Sequence, residues 1–239
     1  MKCITDKDMK IVAFHNFKGG VGSTRNTAHT CIRAREHGLD VVGATLGHLR
    51  DLRHHIERAG VPWCDGLERL PDACDLLVLD VYSHFGLVDV IKPDLWVMPM
   101  YNQTALDHAV RVLPSLEGPV WWLPTHGYVP DGVPAALRDR VTMARPIPWS
   151  DALVESYEAQ MPVWASHPGS PGAIAVEALV ADVLAGMGLA AACGPIERRD
   201  YGGEPTFDHD SNRDYHAREE AARPWLTAYF ERVRGRRAA

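Results

Sequence analysis

A run of residues near the start of the chain, Asn16 to Thr27, has the makings of an anion site. It reads NFKGGVGSTRNT and follows the short apolar segment KIVAFH. Gly19, Gly20 and Gly22 give a strand-to-helix loop the backbone freedom to turn its N–H groups toward one point, and the start of the following helix adds a positive partial charge there. A phosphate-binding loop of the common type ends in Gly-Lys-Ser/Thr. Here the order is Gly22-Ser23-Thr24, so a serine stands where the lysine is expected. Serine can give one hydrogen bond but no charge. Loss of a charge-assisted contact to phosphate lowers affinity or rate by roughly two decades. Lys18 or Arg25 could replace that charge, although a place in the first helical turn favours an Arg25 side chain that points away from the phosphates.

A second candidate lies at the end of CDLLVLD, where the buried-strand pattern Leu76–Leu79 delivers Asp80. A carboxylate at the C-terminal end of a strand either caps the strand or holds a cation. Other polar groups read as bland. His54, His55, Asp107 and His108 fit solvated helix faces. Asp208, His209 and Asp210 are adjacent, and adjacent residues rarely converge on one metal ion. No Ser/His/Asp or Cys/His unit is visible.

The elements that must position these residues are legible from periodicity. Apolar segments at 10–17, 40–46, 76–79, 94–100 and 119–124 read as strands, and the segment beginning at Val141 as an edge strand. Helical patterns fall at 24–37, where Gly38 stops the helix, in the stretch ending at Gly60, at 104–116, briefly at 135–140, and at 151–160 and 172–187. Strands that alternate with helices give an α/β, doubly wound, mostly parallel sheet flanked by helices. At least one of Trp121 and Trp122 belongs in the core. Residues 1–188 form this domain. Residues 189–239 form an appendage, a polar linker followed by a tail helix over 215–234 that Pro224 interrupts. It could pack on the core, contact a partner, or do neither.

The chain has 239 residues, 46% hydrophobic and 23% charged, with a net charge of −6. This is ordinary for a soluble globular protein and is no general nucleic-acid signature. Arg232, Arg234, Arg236 and Arg237 could touch DNA phosphates, but a charged terminus is more often solvated. Five cysteines, none in a CxxC pair, fit a reduced, cytoplasmic chain. No apolar run reaches membrane-span length.

Loop and strands together resemble the ParA/MinD family of deviant Walker A ATPases, whose loop reads K-G-G-x-G-K-[ST]. The resemblance covers about residues 10–188 and includes DLLVLD as the Walker B strand, MPMYNQTALDHAVRVL, and the stretch from ARPIPWSD to VADVL. It implies a P-loop NTPase fold and binding of ATP or ADP with Mg²⁺. Lys18, Gly19, Gly20, Val21, Gly22, Ser23, Thr24 and Arg25 would form the nucleotide loop, Thr24 and Asp80 would hold the metal, and Lys18 and Asp80 would be catalytic. It also implies a homodimer across which Lys18 reaches, a cargo or adaptor protein, and contact with non-specific DNA rather than with a membrane. The departures are Ser23, the GATLG stretch that places Ala44 and Leu46 where the family carries two aspartates, and Pro124 and Thr125 where a base-contacting asparagine is usual. These argue against efficient hydrolysis. Two readings stay open: a ParA-like partition or positioning protein with weak ATPase activity, and a non-hydrolysing scaffold.

Overall fold

The computed structural model describes residues 9–16, 20–46, 51–64, 70–81, 87–197, 201 and 215–237. Its strands are β1 (Lys10–His15), β2 (Val41–Thr45), β3 (Trp63–Cys64), β4 (Leu76–Val81), β5 (Leu95–Met100), β6 (Val120–Pro124) and β7 (Val141–Met143). Its α-helices are α1 (Ser23–Glu36), α2 (Asp51–Arg58), α3 (Gln103–Val112), α4 (Asp151–Glu158), α5 (Val163–Ser166), α6 (Pro171–Gly186) and α7 (Tyr215–Arg237). The sheet order is β3-β2-β4-β1-β5-β6-β7 and every pairing is parallel. The two-residue strand β3, absent from the periodicity reading, pairs beside β2 at one edge.

β1 lies at the centre because both its faces are apolar: Ile11, Val12, Ala13 and Phe14 are fully buried. Its register places Phe14 beside Asp80 on β4 and beside Val97 on β5. After β1 the chain runs toward β2; after β4 it returns across β1 to β5. Such a reversal opens a crevice outside the carboxyl ends of the central strands, and that is where the loop of residues 20–22 lies.

Two cores flank the sheet. On one face α1 and α6 pack over Val12, Phe14, Leu76, Val78 and Val97. The approach of α1 and α2 to β2 is close at Gly43, where an added Cβ would stand 3.0 Å from Trp63, 3.1 Å from Cys31 and 3.1 Å from Ile56. Any side chain there would push these elements apart. Trp122 is fully buried and Trp121 half-buried.

The tail departs from expectation. α7 continues through Pro224, and Leu226, Tyr229, Phe230 and Val233 form a stripe at helical spacing, buried in the second core with Ile11, Leu77, Leu79 and Trp96. Tertiary packing overrides the break that proline favours, and Pro224 itself lies on the exposed side. The Tyr229 hydroxyl donates to the Pro71 carbonyl at 2.8 Å, and Arg232 and Arg234 pair with Asp72 and Glu117. Two arginines of the basic end are thus matched by the chain's own carboxylates; the side chains of Arg236 and Arg237 lie outside the described residues. The β4–β5 connection carries no helix among its described residues, and α7 covers that face instead. On the opposite face the segment after α6 runs against α1: Gly194 N–H donates to His37 O, Glu197 N–H to Glu36 O, and the Tyr201 hydroxyl to Glu36.

The appendage is therefore bound into both cores. Phe230→Ala should lower unfolding stability by about 3–5 kcal/mol, as for other buried aromatic truncations. Arg232→Ala, an exposed pair, should change it by less than about 1 kcal/mol. Urea denaturation of the two variants checks both values.

Candidate functional site

Gly20 and Gly22 have φ values of 78° and 92°, the left-handed region that side chains avoid, so the loop needs glycine at both places. Three groups hold it from outside. Asn16 Nδ2 donates to Pro99 O at 2.6 Å, and the Thr125 hydroxyl is within 3.1 Å of both Val21 O and Met100 O. The His126 ring lies beside the Gly20 backbone. Val21 is 2% exposed and anchors the loop in the core.

α1 begins at Ser23 with Gly22 as its cap residue, no side-chain cap and no acidic residue in the first turn. Its leading N–H groups therefore have no anionic side chain of their own. The Ser23 Oγ is buried without a hydrogen-bond partner, and so are both polar atoms of the Asn26 amide. The Thr24 hydroxyl donates to Asp80 Oδ2 at 2.8 Å. Asp80 is fully buried and its Oδ1 has no partner. Burial raises its pKa to about 7, and the Thr24 hydrogen bond offsets only part of that.

Arg25 overturns the orientation that its place in the helix favours. A Cβ on Gly22 would stand 3.3 Å from Arg25 Nη2, so the guanidinium folds back against the loop. Burial lowers its pKa to about 10.

Gly20, Val21, Gly22, Ser23, Thr24, Arg25 and Asp80 are thus brought together at the carboxyl ends of β1 and β4. Lys18 and Gly19 lie outside the described residues, as do Asp208, His209 and Asp210. Ala44 and Leu46 are fully buried and belong to the apolar core on the α7 side of the sheet. They add no carboxylate, and Asp80 stands beside Thr45 across the β2–β4 ladder.

Several polar groups depart from the sequence reading. His55 is 1% exposed, not solvated, because α2 turns it toward α1 and α4, with its ring 5.9 Å from His29 and 6.3 Å from Tyr157. His108 is 7% exposed and faces His15, at 6.3 Å between rings. Asp107 is exposed, as expected. The alternation of one helix face could not reveal a second element lying over it. His29, not singled out by its sequence context, ties the loop-bearing helix to α5: Nδ1–H donates to Arg25 O at 2.8 Å, and Nε2 accepts from Val163 N–H at 3.1 Å.

An aromatic cluster also borders the loop. His126, at a positive φ of 56°, lies 5.7 Å from the Tyr101 ring and 5.1 Å from the Trp149 ring. Trp149 is 60% exposed. Thr125, which the resemblance places near a base, is fully buried and pins the loop instead.

Solved structures share this arrangement of strands and helices. MinD of Pyrococcus horikoshii OT3, complexed with Mg-ADP, matches with a TM-score of 0.54 at 16% identity, over 73% of this chain and 96% of that one. The fold is that of MinD. MinD of Pyrococcus furiosus matches with a TM-score of 0.54 at 15% identity, over 73% and 98% of the two chains. A chain of the MinC:MinD complex of Aquifex aeolicus matches with a TM-score of 0.52 at 14% identity, over 81% and 100%. A protein assigned to plasmid partition in Borrelia burgdorferi B31, bound to AMPPNP, matches with a TM-score of 0.50 at 13% identity, over 74% and 98%. No protein-family model and no curated protein matches the sequence. The MinD-like fold accounts for the strand–loop–helix geometry around Asp80; the tail helix α7 packs in the core on one face of the sheet. No described helix is long and apolar enough to cross a membrane.

Asp80 and the buried histidines pull stability in opposite directions with pH. Asp80 is held protonated in the folded state, so its contribution is lost as pH rises from about 4 through 7. His15 and His55 are pressed down to about 4 by burial, so theirs is lost as pH falls below the unfolded value of 6.5. Asp80→Asn should therefore stabilise the protein on the order of 2–4 kcal/mol at pH 8 and leave it nearly unchanged at pH 4. Denaturant unfolding at the two pH values measures the difference.

Proposed function

We propose that the protein is a ParA-like nucleotide-binding partition or positioning protein that works through dimerisation and hydrolyses ATP weakly. The observation that carries this reading is the Thr24–Asp80 hydrogen bond at the foot of an uncapped helix that follows a glycine loop. A hydroxyl and a carboxylate side by side form a pair for Mg²⁺, and the unpartnered Asp80 Oδ1 leaves one oxygen for the ion or its water. The loop N–H groups and Ser23 would hold the phosphates. Bound Mg²⁺ would neutralise phosphate charge, and Thr24 and Asp80 would fix its position. His126 and Trp149 offer ring faces for a base, in place of the asparagine that the sequence lacks.

Nucleotide-bound relatives of the same fold support the reading: one MinD holds Mg-ADP and one partition protein holds AMPPNP. The homodimer, an adaptor or cargo protein, cytoplasmic location and non-specific DNA contact belong to the same proposal. The α7 stripe is buried in the core, so it offers no apolar face to a membrane.

The scaffold reading has its own observation. Ala44 and Leu46 are core residues, so no second carboxylate positions an attacking water from β2. On that reading nucleotide, if bound, is not turned over.

Calorimetric titration with Mg-ATP and Mg-ADP should give micromolar dissociation constants, and light scattering after chromatography should show more dimer with Mg-ATP than without it. Turnover should be slow. Binding with no turnover supports the scaffold, and absence of binding removes the nucleotide-switch reading and leaves a scaffold that does not respond to nucleotide. The gain in affinity that Mg²⁺ brings should grow as pH rises from 6 to 8, because the metal needs ionised Asp80, whose pKa is about 7. Repeating the titration across that range with and without EDTA checks the sign.

A further inference from the structure

We propose that Arg25, folded back over Gly22 from the first turn of α1, supplies a bound phosphate with the positive charge that Ser23 lacks. The inference rests on the nucleotide reading above and names the group that makes it work in this chain.

Geometry comes first. The atoms nearest to an added Cβ on Gly22 are Arg25 Nη2 at 3.3 Å and Asn26 Nδ2 at 3.6 Å. Two donors therefore converge on the glycine whose left-handed backbone closes the loop. Asn26 is fully buried, yet neither atom of its amide has a partner, and the 8%-exposed Ser23 leaves its Oγ unpartnered in the same turn. Buried polar groups are nearly always satisfied. Three unsatisfied donor-bearing side chains in one helical turn, beside N–H groups that no side chain caps, have in common that a single anion would answer them.

Charge points the same way. Arg25 makes no ion pair among the described residues, and its Nε is buried without a partner. Burying a cation without a counter-ion is expensive, and a protein ordinarily places an acid beside it. None is in the first turn of α1. Asp80, the carboxylate of the site, is engaged by Thr24. Around the guanidinium stand Tyr157 and His126; burial, and after it the Arg25 charge, holds the His126 pKa down, and an imidazole carries no negative charge to offer. No counter-ion for Arg25 stands among the described residues, and the proposal assigns that place to an anion from outside the chain.

The chemistry differs from that of a lysine at position 23. A lysine there would put a point charge at the phosphates, while a guanidinium offers a planar fork that can take two oxygens at once. The ligand class is a nucleoside di- or triphosphate. Inorganic pyrophosphate shares its recognised part, so a pyrophosphate arm separates recognition of phosphate from that of the base.

The test is titration of the full chain with Mg-ADP and with Mg-pyrophosphate, for the native protein, Arg25→Met, Arg25→Lys and the double variant Ser23→Lys/Arg25→Met. Methionine keeps most of the stem volume while removing the charge, and circular dichroism checks the fold. Arg25→Met should weaken both ligands by about 100-fold, Arg25→Lys by about 10-fold, and the double variant should regain native affinity within a few-fold. Should Arg25→Met fail to fold, the uncharged Arg25→Gln decides in its place: affinity equal to that of the native protein overturns the proposal. Native binding that Arg25→Met leaves unchanged also overturns it, while the nucleotide reading stands. Binding by the double variant but not by the native protein means that Arg25 supplies no charge. Binding by none of them removes the nucleotide reading as well.

Discussion

Asp80 is a carboxylate with no solvent exposure, set at the end of a central strand and answered by one hydroxyl, that of Thr24. Most of the site follows from that contact. It fixes the first turn of α1 over β4, and with it the direction of the helix axis and of the leading N–H groups. The turn of residues 20–22 that joins β1 to α1 must then close in little space, which requires the positive φ angles of Gly20 and Gly22. Removing a carboxylate from water raises its pKa, so Asp80 stays near neutrality until a cation arrives. On the nucleotide reading, the two sides of the site ask for opposite charges: Asp80 for a cation, Arg25 for an anion. A magnesium–phosphate pair would meet both at once.

The loop is also clamped from the other half of the sheet. Asn16 reaches Pro99, and Thr125 reaches Val21 and Met100. These contacts join the ends of β1, β5 and β6, so the loop shape is set by three strands and not by its glycines alone. Behind it, His29 accepts from one backbone group and donates to another, which fixes its tautomer and couples α1 to α5. A site assembled this way keeps its geometry after losing one functional group. The loop's shape therefore does not depend on the side chain at position 23.

The tail serves packing. Its stripe from Leu226 to Val233 completes the core on the face where the short β4–β5 connection provides no described helix. Sheets with helices on both faces need cover on both sides. Here the cover comes from the end of the chain, and the segment around Tyr201 covers part of the other face.

Much of the fold was readable in advance because parallel strands buried on both faces give unbroken apolar runs, and helices between them give a 3.6-residue period. Both are local signals. The glycine loop and the Asp80 strand end were legible for the same reason. The tertiary structure alone decided which buried groups meet. The burial of His55 and His108 depended on elements that cover them from elsewhere in the chain. The continuity of α7 through Pro224 came from a core that outweighs local propensity. The direction of the Arg25 side chain, which helical geometry alone points outward, was decided by the walls of the crevice and by the space that glycine leaves at position 22. Sequence specifies residue types and local periods; the balance of charge and solvent at a site depends on neighbours distant in the chain.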